Sequence, residues 1–203
     1  MTLYLASQSP RRKQLLASLN IPFEVLPAAQ GVDMELLEAP RTAEAPLTYV
    51  KRVTLAKLTQ ACSQITPCDT AQIPHQIAVL CADTTVALGR TILGKPGDAA
   101  ANAAMLHALQ GRTHRVLTAV ALWCGGAVHQ TVCVSHVRFA PLSTAQIERY
   151  AASGEGWDKA GGYAIQGDAA AFISHMRGNY TGIVGLPLFE TANLLRRAGL
   201  LFE

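Results

Sequence analysis

The sequence predicts a mixed α/β fold on three observations. Short apolar runs stop at clusters of Ser, Pro and Gly, the segments between them repeat their apolar residues at helical spacing, and the two kinds alternate without a strict βαβ rhythm. A mixed, twisted sheet flanked by helices is the arrangement that follows.

Taken in order, Leu3-Tyr4-Leu5-Ala6 is an apolar run ending at Ser7, after which Leu15, Leu16 and Leu19 share a helical face. Ser9 is placed to accept from the free N–H groups of that helix, Pro10 fits its first turn, and Asn20 is positioned to close it. A second strand is expected over Phe23–Leu26. From Pro27 to Pro46 no period is sustained, and a loop of that length is often functional. A helix follows over Tyr49–Ala61, with Val50, Val53, Ala56 and Leu58 on its apolar face and Lys51, Arg52 and Lys57 off it. A polar insertion, Cys68–His75, separates it from a hairpin made of Ile77–Leu88, the turn Gly89-Arg90 and Thr91–Leu93. Asp98 begins a helix running to Ala108, and Val116–Trp123 and Thr131–Phe139 pair around Gly125-Gly126. Ser143 with Gln146 three residues on is a capping box, and Ile183–Leu188 leads into a last helix over Leu188–Ala198, ended by Gly199.

Half of the 203 residues are apolar, enough for one core-bearing domain over 1–203. The 17 basic and 14 acidic side chains leave a net charge of +3 spread along the chain, too mild to indicate nucleic acid as a partner. Cys62, Cys68, Cys81, Cys124 and Cys133 are odd in number and lack metal-site spacing, so they read as reduced thiols. Met1–Ala6 lacks a basic start and turns polar at Ser7, unlike a signal peptide, and no apolar run reaches the length of a membrane span. A reducing, cytoplasmic setting without membrane contact is the expectation.

Five segments carry candidate chemistry. Ser7-Gln8-Ser9-Pro10-Arg11-Arg12 lies at a strand-to-helix junction, where free N–H groups and the helix dipole favour an anion. Hydroxyls and guanidiniums add donors suited to phosphate; the plainer alternative is a solvated helix start with two surface arginines. Asp83 interrupts an otherwise apolar strand, and a desolvated carboxylate needs a compensating cation, metal or donor. It is either the ion-pair partner of an internal arginine or a hydrolytic residue, acting as metal ligand or as the base that takes a proton from water. Lys95, on the turn Gly94-Lys95-Pro96-Gly97, returns through the hairpin toward the same face, where an ammonium neutralises pyrophosphate charge unless it is merely solvated. In Asp158-Lys159-Ala160-Gly161-Gly162-Tyr163-Ala164-Ile165-Gln166-Gly167 the paired glycines permit backbone to approach a ligand closely. Tyr163 is suited to stack on or border a base and Gln166 to read a pyrimidine edge; otherwise the segment is a glycine-rich turn. Gly182–Leu188 closes the floor of a site or forms a strand end.

In this order the motifs S-x-S-P-R-R, the tyrosine-led helix reaching Lys57, A-D-T, G-K-P, G-x-T-H at Gly111–His114, D-K-A-G-x-Y-x-I-Q-G and V-G-L-P-L resemble the Maf family of nucleotide pyrophosphatases, also called septum formation inhibitor proteins. The match runs from Leu3 to Ala198. The resemblance implies a fold similar to inosine triphosphate pyrophosphatases, with two lobes around a cleft, and a homodimer. It implies cleavage of a nucleoside triphosphate between its α- and β-phosphates, with Mg²⁺ or Mn²⁺ as cofactor. Asp83 becomes the proton acceptor, Lys57 and Lys95 a catalytic cationic clamp, and Ser7, Ser9, Arg12, Lys159 and Tyr163 substrate contacts.

Arg11, Thr84 and Gln166 stand where subfamilies differ, and they resemble the dTTP/UTP-cleaving branch; the 7-methyl-GTP branch has Trp, Gln and Glu there. The family's acid pair after the second strand is altered in Val32-Asp33-Met34-Glu35-Leu36-Leu37-Glu38. Met34 takes the place of a metal-binding glutamate, leaving Glu35 or Glu38 as the substitute and Asp83 as a further candidate ligand. The resemblance links such hydrolysis to cleansing modified pyrimidine nucleotides and to cell-division arrest. The competing reading is a nucleotide-binding regulator of septum formation without turnover.

Overall fold

In the computed structural model, which describes residues 1–27, 34–65 and 77–201, seven strands form one mixed sheet with helices on both faces, as the sequence predicts. The strands are β1 (Thr2–Leu5), β2 (Glu24–Val25), β3 (Ile77–Leu88), β4 (Thr91–Leu93), β5 (Thr113–Cys124), β6 (Ala127–Phe139) and β7 (Ile173–Arg177). The helices are α1 (Pro10–Ala17), α2 (Met34–Glu38), α3 (Pro46–Ile65), α4 (Ala99–Leu109), α5 (Thr144–Ser153), α6 (Tyr180–Val184) and α7 (Leu188–Arg197). Strand order is β2-β1-β3-β5-β6-β7, with β4 also on β3. The pairs β1–β2 and β1–β3 are parallel and the remainder antiparallel.

The central strand positions the site. β5 pairs with one edge of β3 over Ala78–Ala87. On the other edge β1 holds Ile77–Leu80 and β4 holds Val86–Leu88, so Cys81–Thr85 have no strand neighbour there. Because successive strand residues face opposite ways, Asp83 and Thr84 leave this bare edge toward different layers. Asp83 points with Val79 and Cys81 toward α3, where Leu58 and Ala61 pack on them. Thr84 points with Leu80 and Ala82 toward the layer of α1 and α7, whose Leu16, Leu194 and Leu195 are buried together with Leu186. Fully burying a side chain such as Leu16 contributes roughly 1.5–3 kcal/mol, which fixes α1 on the sheet beside the bare edge.

Several boundaries differ from the sequence reading for identifiable reasons. The 27–46 segment contains α2, too short at five residues to show a period. Arg52 ties its exit down, donating to the Leu37 and Ala39 carbonyls while pairing with Glu44. α3 starts at Pro46 and ends at Ile65; Thr54, whose hydroxyl returns its proton to Val50 O, is fully buried where Ala56 was expected. α1 ends at Ala17, and Asn20 adopts φ 53° in the following turn instead of closing the helix. β2 is shorter than expected, β5 and β6 are longer, and β7, a short exposed edge strand, carries too little apolar pattern to announce itself. Residues 180–184 form a capped helical turn, not a strand end, because the Asn179 side chain accepts from Gly182 N. The insertion over Cys68–His75, and Asp33, lie outside the described residues.

Candidate active site

α1 begins beside the bare edge of β3. Ser9 is its N-cap, accepting from Arg12 N at 3.5 Å, and Ser7 Oγ accepts from Ser9 N at 3.2 Å, with Pro10 in the first turn as read from sequence. The Arg12 side chain turns back into the protein: Nε donates to Gly185 O at 2.9 Å and Nη2 to Thr84 Oγ1 at 3.2 Å. Gly185 has φ 131°, a conformation L side chains rarely adopt, and its α-carbon faces Arg12 Nε and Thr84 Oγ1.

Across the edge, Lys57 extends from α3 to donate to Asp83 Oδ1 at 2.5 Å and Glu38 Oε1 at 2.6 Å. Lys95 reaches the other oxygen of Glu38 at 3.3 Å. Asp83, Lys57, Glu38 and Lys95 thus form an alternating chain of charge running from the buried strand to the surface. Lys57 lies off the apolar face of α3 as predicted, yet its side chain is only 13% exposed because it aims at Asp83. Burial works against the Lys57 ammonium, but the Asp83 and Glu38 carboxylates outweigh it and hold its pKa above the ordinary lysine value. Burial likewise opposes Glu38, and Lys57 and then Lys95 overcome that and lower its pKa. Tyr49, whose hydroxyl donates to Glu38 O at 2.6 Å, is pushed up to about 12 by burial and by the Asp83 and Glu38 charges.

Asp83, Lys57, Glu38 and Lys95 line a cleft of about 570 Å³ together with Ser7, Ser9, Arg11, Arg12, Thr84, Lys159, Tyr163 and Gln166. The cleft therefore gathers the residues singled out in sequence, with the exception of Glu35, whose side chain lies outside the described residues. Gln60 and Gln64, one helical turn apart on α3, also line it. Gln60 carried no sequence signal beyond lying in a helix, and Gln64 lay past the expected end of that helix at Ala61. Thr118, fully buried within the strand expected over Val116–Trp123, was missed because a hydroxyl within an apolar strand passes for β-propensity.

Two expectations are corrected, and Lys159, which lines the cleft, has its ammonium already shared. Tyr163 is 6% exposed and packs edge-on with Phe139 and His114, donating or accepting at His114 Nε2 over 2.7 Å; it borders the cleft as core and offers no free ring face for stacking. The paired glycines approach protein, not ligand space: a Cβ on Gly161, at φ 74°, would lie 2.7 Å from Val86 Cγ1. Lys159 is engaged by Asp158 Oδ1 at 2.6 Å and by Glu155 O, so its ammonium is shared before any substrate arrives.

His114 is 1% exposed, and burial lowers its pKa from 6.5 to about 4. Between those values the unfolded chain binds the extra proton, so stability falls by roughly 3 kcal/mol as pH drops from 6.5 to 4. Urea unfolding across that range is expected to show this slope in the natural protein and a flatter one in His114→Gln. An equal slope in both would assign the acid sensitivity elsewhere.

The sequence profile of the family described as Maf-like protein matches residues 2–198. The dTTP/UTP pyrophosphatase of Albidiferax ferrireducens is 55% identical over 197 residues, covering 97% of this chain and 96% of that protein. That of Polaromonas sp. is 53% identical over 197 residues, with coverage of 97% and 96%. That of Cupriavidus metallidurans is 50% identical over 200 residues, with 98% of each chain covered.

Proposed function

The chain belongs to the Maf-like protein family, and on that premise we propose that it is a nucleoside triphosphate pyrophosphatase acting on dTTP and UTP. The observation that carries the reading is the Asp83–Lys57–Glu38–Lys95 chain lying in one cleft with the start of α1 and Arg12. A carboxylate held beside ammonium and guanidinium groups suits hydrolysis of a phosphoanhydride, where charge grows on the departing phosphates.

In this reading water adds to phosphorus at the α–β anhydride, Asp83 takes the proton that water loses, and the bridging P–O bond breaks to release pyrophosphate. Lys57, Lys95, Arg12 and the N–H groups behind Ser9 hold the phosphates and neutralise the charge of the leaving group. In the same reading Ser7 and Lys159, which line the cleft, add donors for those oxygens, and the exposed Gln166 offers a donor and an acceptor to the pyrimidine edge. Arg11 and Thr84 complete the set that resembles the pyrimidine branch.

Asp83 and Glu38 offer oxygen ligands around a shared ammonium, a donor set that fits Mg²⁺ or Mn²⁺ when phosphate oxygens complete the coordination. Among the described residues no three His, Cys, Asp or Glu gather. Bound there, the ion would withdraw charge from the phosphates. The reading includes a homodimer, as the resemblance implies, and a cytoplasmic setting, which the reduced thiols of Cys81, Cys124 and Cys133 favour; no described helix is long and apolar enough to cross a membrane.

Pyrophosphate release from a panel of triphosphates with Mg²⁺ or Mn²⁺ tests the proposal. dTTP and UTP are expected as the best substrates, with CTP weaker. A preference for 7-methyl-GTP would overturn the pyrimidine assignment, and no turnover on any member would overturn the enzyme.

A further inference from the structure

Thr118 is fully buried in the middle of β5 and does not line the cleft, yet its hydroxyl is tied into it. Its Oγ1 lies 2.7 Å from Gly182 O and 3.0 Å from Thr84 Oγ1. A carbonyl only accepts, so the single hydroxyl proton of Thr118 goes to Gly182 O. Thr84 must then donate to Thr118, which leaves its lone pairs facing Arg12 Nη2 at 3.2 Å. The hydrogen bonds therefore run one way, from Arg12 through Thr84 and Thr118 to Gly182.

The path closes on itself. Arg12 Nε donates to Gly185 O, three residues past Gly182 at the end of α6, so both ends of the path rest on the same turn. Two donor groups of the guanidinium are committed to acceptors of fixed orientation, and among the described residues none accepts from Nη1. A planar fork held at two corners has its third corner aimed. Valine would fill the space of Thr118 without a hydroxyl to satisfy, so apolar packing alone does not call for threonine there.

We propose that Thr118 is a positioning residue: acting through Thr84, it holds the Arg12 guanidinium in the orientation that receives the substrate's phosphates. The inference rests on the pyrophosphatase reading for the identity of the ligand, and it recasts Thr84 as an orienting hydroxyl as well as a marker of the pyrimidine branch.

The test measures binding of inorganic tripolyphosphate by calorimetry and, separately, kcat and KM for dTTP. Thr118→Val is expected to weaken tripolyphosphate binding about tenfold and to raise KM more than it lowers kcat, while Thr118→Ser restores both. Thr84→Val leaves the Thr118–Gly182 bond in place, so it frees Arg12 even if Thr118→Val fails to fold, and the same tenfold loss is expected. In an Arg12→Gln background neither valine variant weakens binding further, because the side chain they position is gone. Undiminished tripolyphosphate binding by Thr84→Val, or an equal loss in the Arg12→Gln background, would overturn the proposal. Failure of the pyrophosphatase reading looks different: the natural protein would bind tripolyphosphate with these shifts yet turn over no triphosphate.

Discussion

Asp83→Asn is expected to lower kcat for dTTP by about 10²–10⁴-fold, the span typical of a lost general base, while fold and triphosphate binding persist. The substitution is nearly isosteric, and the amide oxygen can still accept from Lys57, whose ammonium now lies 2.5 Å from Asp83 Oδ1. What the amide cannot do is take a proton from water. Pyrophosphate release, dTTP binding by calorimetry and thermal melting separate the outcomes. Full turnover in this variant would remove Asp83 from the chemistry, and lost binding would make it a structural partner of Lys57 instead.

Lys57→Met is expected to cost about 3 kcal/mol of stability at neutral pH and most of the activity, because it strands two carboxylates around a vacated, poorly solvated point. The pH dependence has a definite sign. The folded pKa of Glu38 lies below its ordinary 4.5, so its contribution is present above that value and lost as pH falls through the lowered one. The folded pKa of Lys57 lies above 10.5, so its contribution is present below that value and lost as pH rises through the raised one. Removing the ammonium removes both effects, and the deficit of the variant should shrink as pH falls below 4.5, where the natural protein loses the Glu38 contribution. Mg²⁺ or Mn²⁺ should also raise the melting temperature of the variant more than that of the natural protein, since an ion can occupy the ground Lys57 held. Melting curves at pH 7 and at pH values stepped below 4.5, with and without each ion, check both; a deficit indifferent to pH and metal would show that Lys57 contributes by packing.

Much of this was legible in the chain, and what was not has physical causes. Ser9, Pro10 and the leucines after them announce α1 because capping and periodicity are local, and Ser143 with Gln146 announces α5 in the same way. Asp83 was conspicuous as an acid in an apolar strand, although its partner proved to be Lys57, 26 residues earlier, where an arginine had been the alternative considered. Pairings over such separations leave no mark on periodicity. Glu38 illustrates this: its place between two lysines depends on α2, five residues long and held by Arg52 and Tyr49 from the next helix. Tyr163 was misread because a tyrosine between glycines and a small residue looks free, whereas Phe139 and His114 come to it from strands far earlier in the chain.

The bare stretch Cys81–Thr85 has a mechanical consequence. β1 and β4 hang on the same strand by separate ladders, so the α1 turn and the Lys95 turn are linked through five residues that β5 holds from behind. What spans the opening on one side is the exposed Lys95–Glu38 contact, and such contacts weaken as salt screens them over a few ångströms. Ionic strength therefore acts on that one contact at the mouth of the cleft, while the β5 ladder behind Ala78–Ala87 is indifferent to it.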